Sequence, residues 1–230
     1  MKKLFYITIV VLLFSCNSEN AGDCFQTVGS ILQEEIALDT FDKILVNRDV
    51  ELIVKEGNTQ KVIIETGKNL WNDVQAIVVD GQLILSDNNS CNYVRDYGNT
   101  KVYVTSPNIT EIRSSTQYDV SSEGVLRYPS LTILSEDYSA PDSFTVGNFR
   151  LDIDAVNFYV VFNNLSNAYI TGKTDNLNVT YASGTSRFEG RNLTAQNVYI
   201  WNRSSSDMII NPIQKITGII SGTGDVICVN

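Results

Sequence analysis

The sequence predicts an all-β chain in which a hairpin-rich section leads into a β-solenoid. Three observations predict it. Short β-branched runs alternate apolar and polar residues, turn residues separate those runs, and in the second half apolar pairs recur about every 20 residues. Almost no segment has the spacing of an amphipathic helix.

The first element is a targeting segment. Lys2 and Lys3 precede an apolar run, residues 4–14, that stops at Ser15-Cys16. A spanning helix takes about 20 apolar residues, so this run is too short and fits the apolar centre of a secretory signal, about 7–15 residues. Leu13-Phe14-Ser15-Cys16 resembles the bacterial lipobox, with Phe14 bulkier than usual at its place. That resemblance implies removal of residues 1–15, lipidation of Cys16 and a polar tether over residues 16–23. Acyl chains then hold the protein at a membrane without a spanning helix. Asn17 in place of an aspartate points to the outer membrane, with a periplasmic or surface-exposed orientation.

The remaining residues, 24–230, read as a single β domain with a hairpin-rich part (24–107) and solenoid repeats (108–230). Residues 31–38 could hold one helical turn. Residues 41–47, 50–57 and 60–67 are β-branched runs between turn residues. Residues 73–86 place Asp80-Gly81 between two apolar runs, a strong hairpin signal. Residues 101–107 end at Pro107, which cannot continue a ladder. Beyond it come the pairs Ile109/Ile112, Leu131/Ile133, Leu151/Ile153, Leu177/Val179, Val198/Ile200 and Ile216/Ile219, each followed by a polar corner. One such unit cannot bury its own apolar face, so stacked neighbours must complete the core. Tyr118, Tyr138, Tyr159, Tyr181 and Trp201 keep a similar interval of 20 to 22 residues. Stacked rungs would bring them together, either as a structural ring ladder or as a sugar-binding strip on Tyr159, Tyr181 and Trp201.

Charge and composition exclude several functions. The chain has 17 basic and 26 acidic residues, a formal net charge of −9, and no histidine. Loss of Lys2 and Lys3 with the signal lowers the charge to −9 − 2 = −11. Such a surface repels nucleic acid and anionic lipid. Without histidine there is no Ser-His-Asp or Cys-His catalysis and no His-bearing zinc site. Cys24, Cys91 and Cys228 remain after Cys16, an odd number in an exported chain. The reading pairs Cys24 with Cys91 and leaves Cys228 buried and free, although spacing alone does not fix the pairing. Six N-x-[ST] sequons follow from an Asn-, Ser- and Thr-rich composition.

Several stretches matter together: "CFQTVGS" at 24–30, "FDKILVNRDVELIVKEG" at 41–57, "NLWNDVQAIVVDGQLILSDNNSCNYVRDY" at 69–97 and "SGTGD" at 221–225. They resemble the lipoprotein branch of the auto-transporter adhesin head, or GIN, domain family of Bacteroidetes. The resemblance covers roughly residues 24–230. It implies a right-handed parallel β-helix-like fold and an adhesin-like role. It carries over no catalytic residues. Only Ser183-Gly184 and the terminal "SGTGD" keep the corner glycines.

Carboxylates are the plentiful reactive group. Asp152 and Asp154 share one side of a strand by alternation, and β-helix lyases and hydrolases use such acidic residues together with a positioned basic residue, for which Arg150 and Arg187 are available although nothing ties them to the site. Two solvated aspartates explain it equally well. Asp119, Asp207 and Asp225 sit at comparable corners, where aspartate accepts turn N–H groups; calcium would need several converging oxygens. In "CNYVRDY" we expect Cys91 in a disulfide and Arg95 paired with a carboxylate. The function these readings support is a non-enzymatic, lipid-anchored envelope protein whose solenoid surface binds a polysaccharide or protein partner, with no cofactor or metal. A carboxylate-based polysaccharide lyase or hydrolase and a structural envelope component are the alternatives.

Overall fold

Alternation of apolar and polar residues sets the strands, and backbone pairing sets their order. The computed structural model describes residues 22–89 and 91–229; the apolar run of residues 4–14 and Cys16 lie outside them. Among the described residues fifteen strands join one sheet, which folds around a single core and nearly closes on itself like a barrel. The all-β expectation holds, with two short 3-10 turns at Asp23–Phe25 and Trp71–Asp73.

The repeating unit is clearest in the long strands β11 (Phe149–Phe162), β12 (Ala168–Tyr181), β13 (Phe188–Asn202) and β14 (Met208–Ile220). In β11, Phe149, Leu151, Ile153 and Ala155 are buried, and then Phe158, Val160 and Phe162. Inward positions switch from odd to even numbers, so the strand turns a corner near residues 156–157 and serves two faces. Neighbouring long strands are parallel, with Phe158 opposite Leu177, Leu177 opposite Val198 and Val198 opposite Ile216.

Shorter strands build the earlier rungs. β9 (Val120–Leu126) lies beside the first half of β11, and β10 (Ser130–Ser135) beside its second half. β3 (Val50–Glu56) pairs with β9 and with β7 (Thr100–Ser106) on the first face. β8 (Glu111–Ser114) pairs with β10 and with β2 (Lys43–Val46), which pairs with β6 (Gln82–Asp87), on the second. All these pairings are parallel, so strands before residue 107 continue the same two faces.

Antiparallel strands close the N-terminal end. β5 (Val74–Val79) and β6 form the hairpin signalled by Asp80-Gly81, whose φ angles of 50° and 75° suit a two-residue turn. β4 (Lys61–Gly67) pairs antiparallel with β7 and with β1 (Ile31–Ile36). The helical turn expected over residues 31–38 is therefore a strand. The open edge of β4 offers six partners to β1, and those bonds outweigh a weak local helical spacing. β15 (Val226–Cys228) pairs with β14 at the other end.

One expected apolar pair belongs elsewhere. Leu131/Ile133, Leu177/Val179 and Val198/Ile200 face inward on the second face, but Leu151/Ile153 lies on the first; its true counterpart is Phe158/Val160. The loop between β10 and β11 lengthens that one rung. Likewise Gly218, not Ile219, stands opposite Ile200.

Side chains tie rung to rung at the corners. Asn148 Oδ1 accepts the Asn167 N–H at 3.2 Å, Asn167 Oδ1 accepts the Arg187 N–H at 2.9 Å, and Asp207 Oδ1 accepts the Asp225 N–H at 3.0 Å. Asp119 takes Asn148 Nδ2 at 3.2 Å and Arg150 Nε at 2.6 Å. No group of three or more carboxylates or cysteines able to hold a metal occurs among the described residues. Inside, Phe149, Phe162 and Tyr181 stack with centroids 5.4 Å apart at each step.

Gly172 occurs where β12 shifts register against β13, at φ +103°, and an added Cβ would lie 2.0 Å from the Ile153 carbonyl oxygen. Gly172→Ala is expected to destabilise the fold by about 1–3 kcal/mol, read as a lower melting temperature with unchanged circular dichroism at room temperature.

Candidate binding face

The two outer faces differ in chemistry. Around the first, carboxylates meet cations: Lys55–Glu123 at 2.5 Å, Lys61–Glu35 at 2.7 Å, Lys101–Glu51 at 3.2 Å, Arg150–Asp119 at 2.6 Å and Lys173–Asp154 at 3.3 Å. Exposed pairs of this kind contribute little stability each, but they leave a hydrated, charged surface. Asp152 and Asp154 fall here. Asp154 is engaged by Lys173, the Asp152 N–H donates to Ser122 Oγ at 2.9 Å, Arg150 is engaged by Asp119, and Arg187 reaches Glu189 at 3.2 Å.

The second face follows from the inward pairs. On a strand, the residue between two inward residues points out. Tyr159, Asn178, Tyr199 and Thr217 therefore form one row across β11 to β14. Val161, Thr180, Trp201 and Ile219 form the next row. Asn157, Asn176, Asn197 and Lys215 form a third, in which Asn176 Nδ2 donates to Asn157 Oδ1 at 3.1 Å and Asn197 Nδ2 donates to Asn176 Oδ1 at 3.2 Å. These rows hold aromatic, amide, hydroxyl and apolar groups, one lysine and no carboxylate. Tyr159, Tyr199 and Trp201 are 40%, 43% and 36% exposed. The middle of the face is a shallow depression of about 340 Å³. Tyr159 and Tyr199 are two strands apart, about 9.6 Å at the usual strand spacing.

Of the three residues expected on a ligand strip, Tyr159 and Trp201 are on this face and Tyr181 is not. Tyr181 is fully buried, stacked on Phe162, and its hydroxyl donates to the Arg187 carbonyl at 3.2 Å. Burial pushes that hydroxyl well above the ordinary tyrosine pKa. The error is one of parity. Tyr159 pairs with Asn178, so a residue three positions further along the strand points the other way. Tyr138 is 92% exposed, in the loop after β10, so the five aromatic residues do not make one ladder. Tyr199 and the asparagine row were missed. The signal was present: each is set by its offset from the inward pair, Val198/Ile200 in the case of Tyr199.

The cysteines lie away from the face. Cys24 and Cys91 are bonded, with an S–S distance of 2.07 Å, while Cys228 is free. Cys228 is exposed rather than buried, because β15 is a three-residue strand at the end of the stack. Arg95 secures the same loop through carbonyls rather than through a carboxylate: Nη1 donates to the Asp23 and Gln26 carbonyls at 2.5 and 3.2 Å, and Nη2 to that of Cys91 at 2.9 Å. A guanidinium fork suits several backbone acceptors at once.

An ion pair holds the middle of the second face. Arg113, opposite Leu134, donates to Glu136 Oε1 at 2.6 Å and to Ser139 Oγ at 3.1 Å, and the Ser139 N–H donates to Glu136 Oε2 at 2.8 Å. Burial alone would raise the Glu136 carboxyl. The Ser139 hydroxyl and N–H together with the Arg113 guanidinium outweigh it and hold the pKa at about 2.

This architecture defines a class of protein that offers an extended outer surface on stacked strands. The chain belongs to the family described as "putative auto-transporter adhesin, head GIN domain", whose model matches residues 40–230. Among solved structures it is similar to a "putative adhesin" from Bacteroides fragilis, with 18% identity and a TM-score of 0.74 over 88% of this chain and 99% of the other. It is also similar to a "putative lipid binding protein" from Parabacteroides distasonis, with 14% identity and a TM-score of 0.50 over 89% and 99% of the two chains. These likenesses concern the fold. No curated protein matches the chain. No helix among the described residues is long and apolar enough to cross a membrane.

The lowered Glu136 pKa has a sign for stability. A carboxyl depressed from 4.5 to about 2 stabilises the fold above its unfolded pKa and loses that contribution as pH falls toward 2. Glu136→Gln is expected to cost roughly 1–3 kcal/mol at pH 7. It should also flatten the fall in stability between about pH 5 and pH 2. Denaturant unfolding across that range checks both.

Proposed function

We propose that this protein is a non-catalytic, cell-envelope binding protein that holds an extended polysaccharide along its stack, on the second outer face. The observation that carries the reading is the contrast between faces. In a chain with 26 acidic residues, the rows from β11 to β14 contain none and set Tyr159, Tyr199 and Trp201 outward. Sugar rings stack on exposed aromatic faces and exchange hydrogen bonds with amides and hydroxyls. Stacked rungs repeat those groups at about 4.8 Å, which suits a polymer gripped by many weak contacts. The adhesin description of the family supports the same reading.

Two finer points belong to the proposal. The parallel rungs wind as a right-handed β-helix, the usual hand of parallel crossover connections. Lipidated Cys16 anchors the protein at the outer membrane, as the lipobox-like residues 13–16 suggest.

The test is binding of the full chain, in detergent, to an array of neutral and acidic polysaccharides. Tyr199→Ala with Trp201→Ala should weaken the positive signals by about tenfold or more, since each ring contact is worth about 0.5–1.5 kcal/mol. Lys101→Ala on the first face should leave them unchanged. A blank array, or equal loss from the Lys101 variant, rejects the face, and release of shortened chains rejects the non-catalytic role.

A further inference from the structure

The stack is closed at one end and open at the other. At the N-terminal end, Val74, Ala76 and Val78 of β5 pack on the core, with Leu38 and Trp71 beside them. At the opposite end, among the described residues, residues 215–220 pair with β13 on one side and have no strand on the other. Ile216 and Ile220 stand in the inward register, opposite Val198 and Asn202. Yet they are 42% and 57% exposed, whereas Val198 and Ile200 one rung back are 2% exposed. Ile200, Ile216, Ile219, Ile220 and Val226 border an open depression of about 310 Å³. Bare inward isoleucines beside unpaired backbone groups make an edge that accepts another strand.

A second copy fits the edge. Two β14 edges meeting about a two-fold axis run antiparallel, and an axis through Gly218 sets Ile216 of each copy against Ile220 of the other. The inward isoleucines then cover one another. Lys215 is the only charged residue in residues 208–220, and this register places it opposite Ser221 of the second copy, so no like charges meet. A separate observation points the same way. Cys228, the free cysteine among the described residues, is exposed on β15 at this same end.

We propose that the chain forms a two-fold, end-to-end dimer through the β14 edge. The edge is self-complementary, so the pairing closes at two copies. The two N-terminal ends then lie at opposite extremes, about 80 Å apart over some seventeen strand spacings. Such a pair bridges two attachment points that face each other, rather than joining neighbours side by side.

The test is the protein mass and maximum dimension of the full chain in detergent, by light scattering and small-angle scattering across a wide concentration range. Both should nearly double as concentration rises, and amides of residues 215–220 should gain hydrogen-exchange protection in step. Ile216→Lys with Ile220→Lys should remain monomeric with unchanged circular dichroism, while Tyr199→Ala should dimerise as the parent does. The dimer is overturned by a constant monomer mass, by doubling of mass without lengthening, by growth beyond two copies, or by a lysine variant that still dimerises. Polysaccharide binding by the monomeric variant would separate the two surfaces, since the sugar-binding face does not need the second copy.

Discussion

Everything in this structure depends on the parallel backbone register between successive rungs. No rung can bury its own apolar residues, because each is one strand thick. Burial comes from setting Phe158 over Leu177 and Leu177 over Val198. A slip of one residue would turn each of those side chains to solvent. The same register fixes the outside. Once Leu177 and Val198 are in line within, Asn178 and Tyr199 are in line without. Core and surface are two readings of one ladder.

That ladder also explains where polar groups go. Corners would leave backbone donors without partners, and Asn148, Asn167 and Asp207 supply acceptors from one rung to the next. The N-terminal end solves a different problem. There the parallel stack meets its first edge, and β1, β4 and β5 finish it with antiparallel strands. The Cys24–Cys91 bond and the Arg95 fork then hold the segment before β1 against the loop before β7.

The chemistry of the two faces divides the labour. The first carries a series of ion pairs, among them Arg150–Asp119 and Lys173–Asp154. On the second, the rows from β11 to β14 carry no carboxylate and expose large rings whose burial by a ligand would be favourable. No enclosed cavity is needed for such a surface to bind a long partner, because affinity accumulates along its length.

The sequence by itself determined most of the strands, though not β1, and with them the Asp80-Gly81 hairpin and the repeat of about 20 residues, because alternation, turn chemistry and period are local properties. It also determined that histidine-dependent chemistry is absent and that the surface is acidic. Only the tertiary structure decided which strands are neighbours. Residues 41–56 lie between rungs that come later in the chain, and no local signal records that order. Tyr181 shows the same limit at the site: its interval matched that of Tyr159 and Trp201, but three residues of offset turned it into the core. Whether an aromatic residue becomes part of a binding face or part of the interior is set by pairing across strands, and that pairing exists only once the chain has folded.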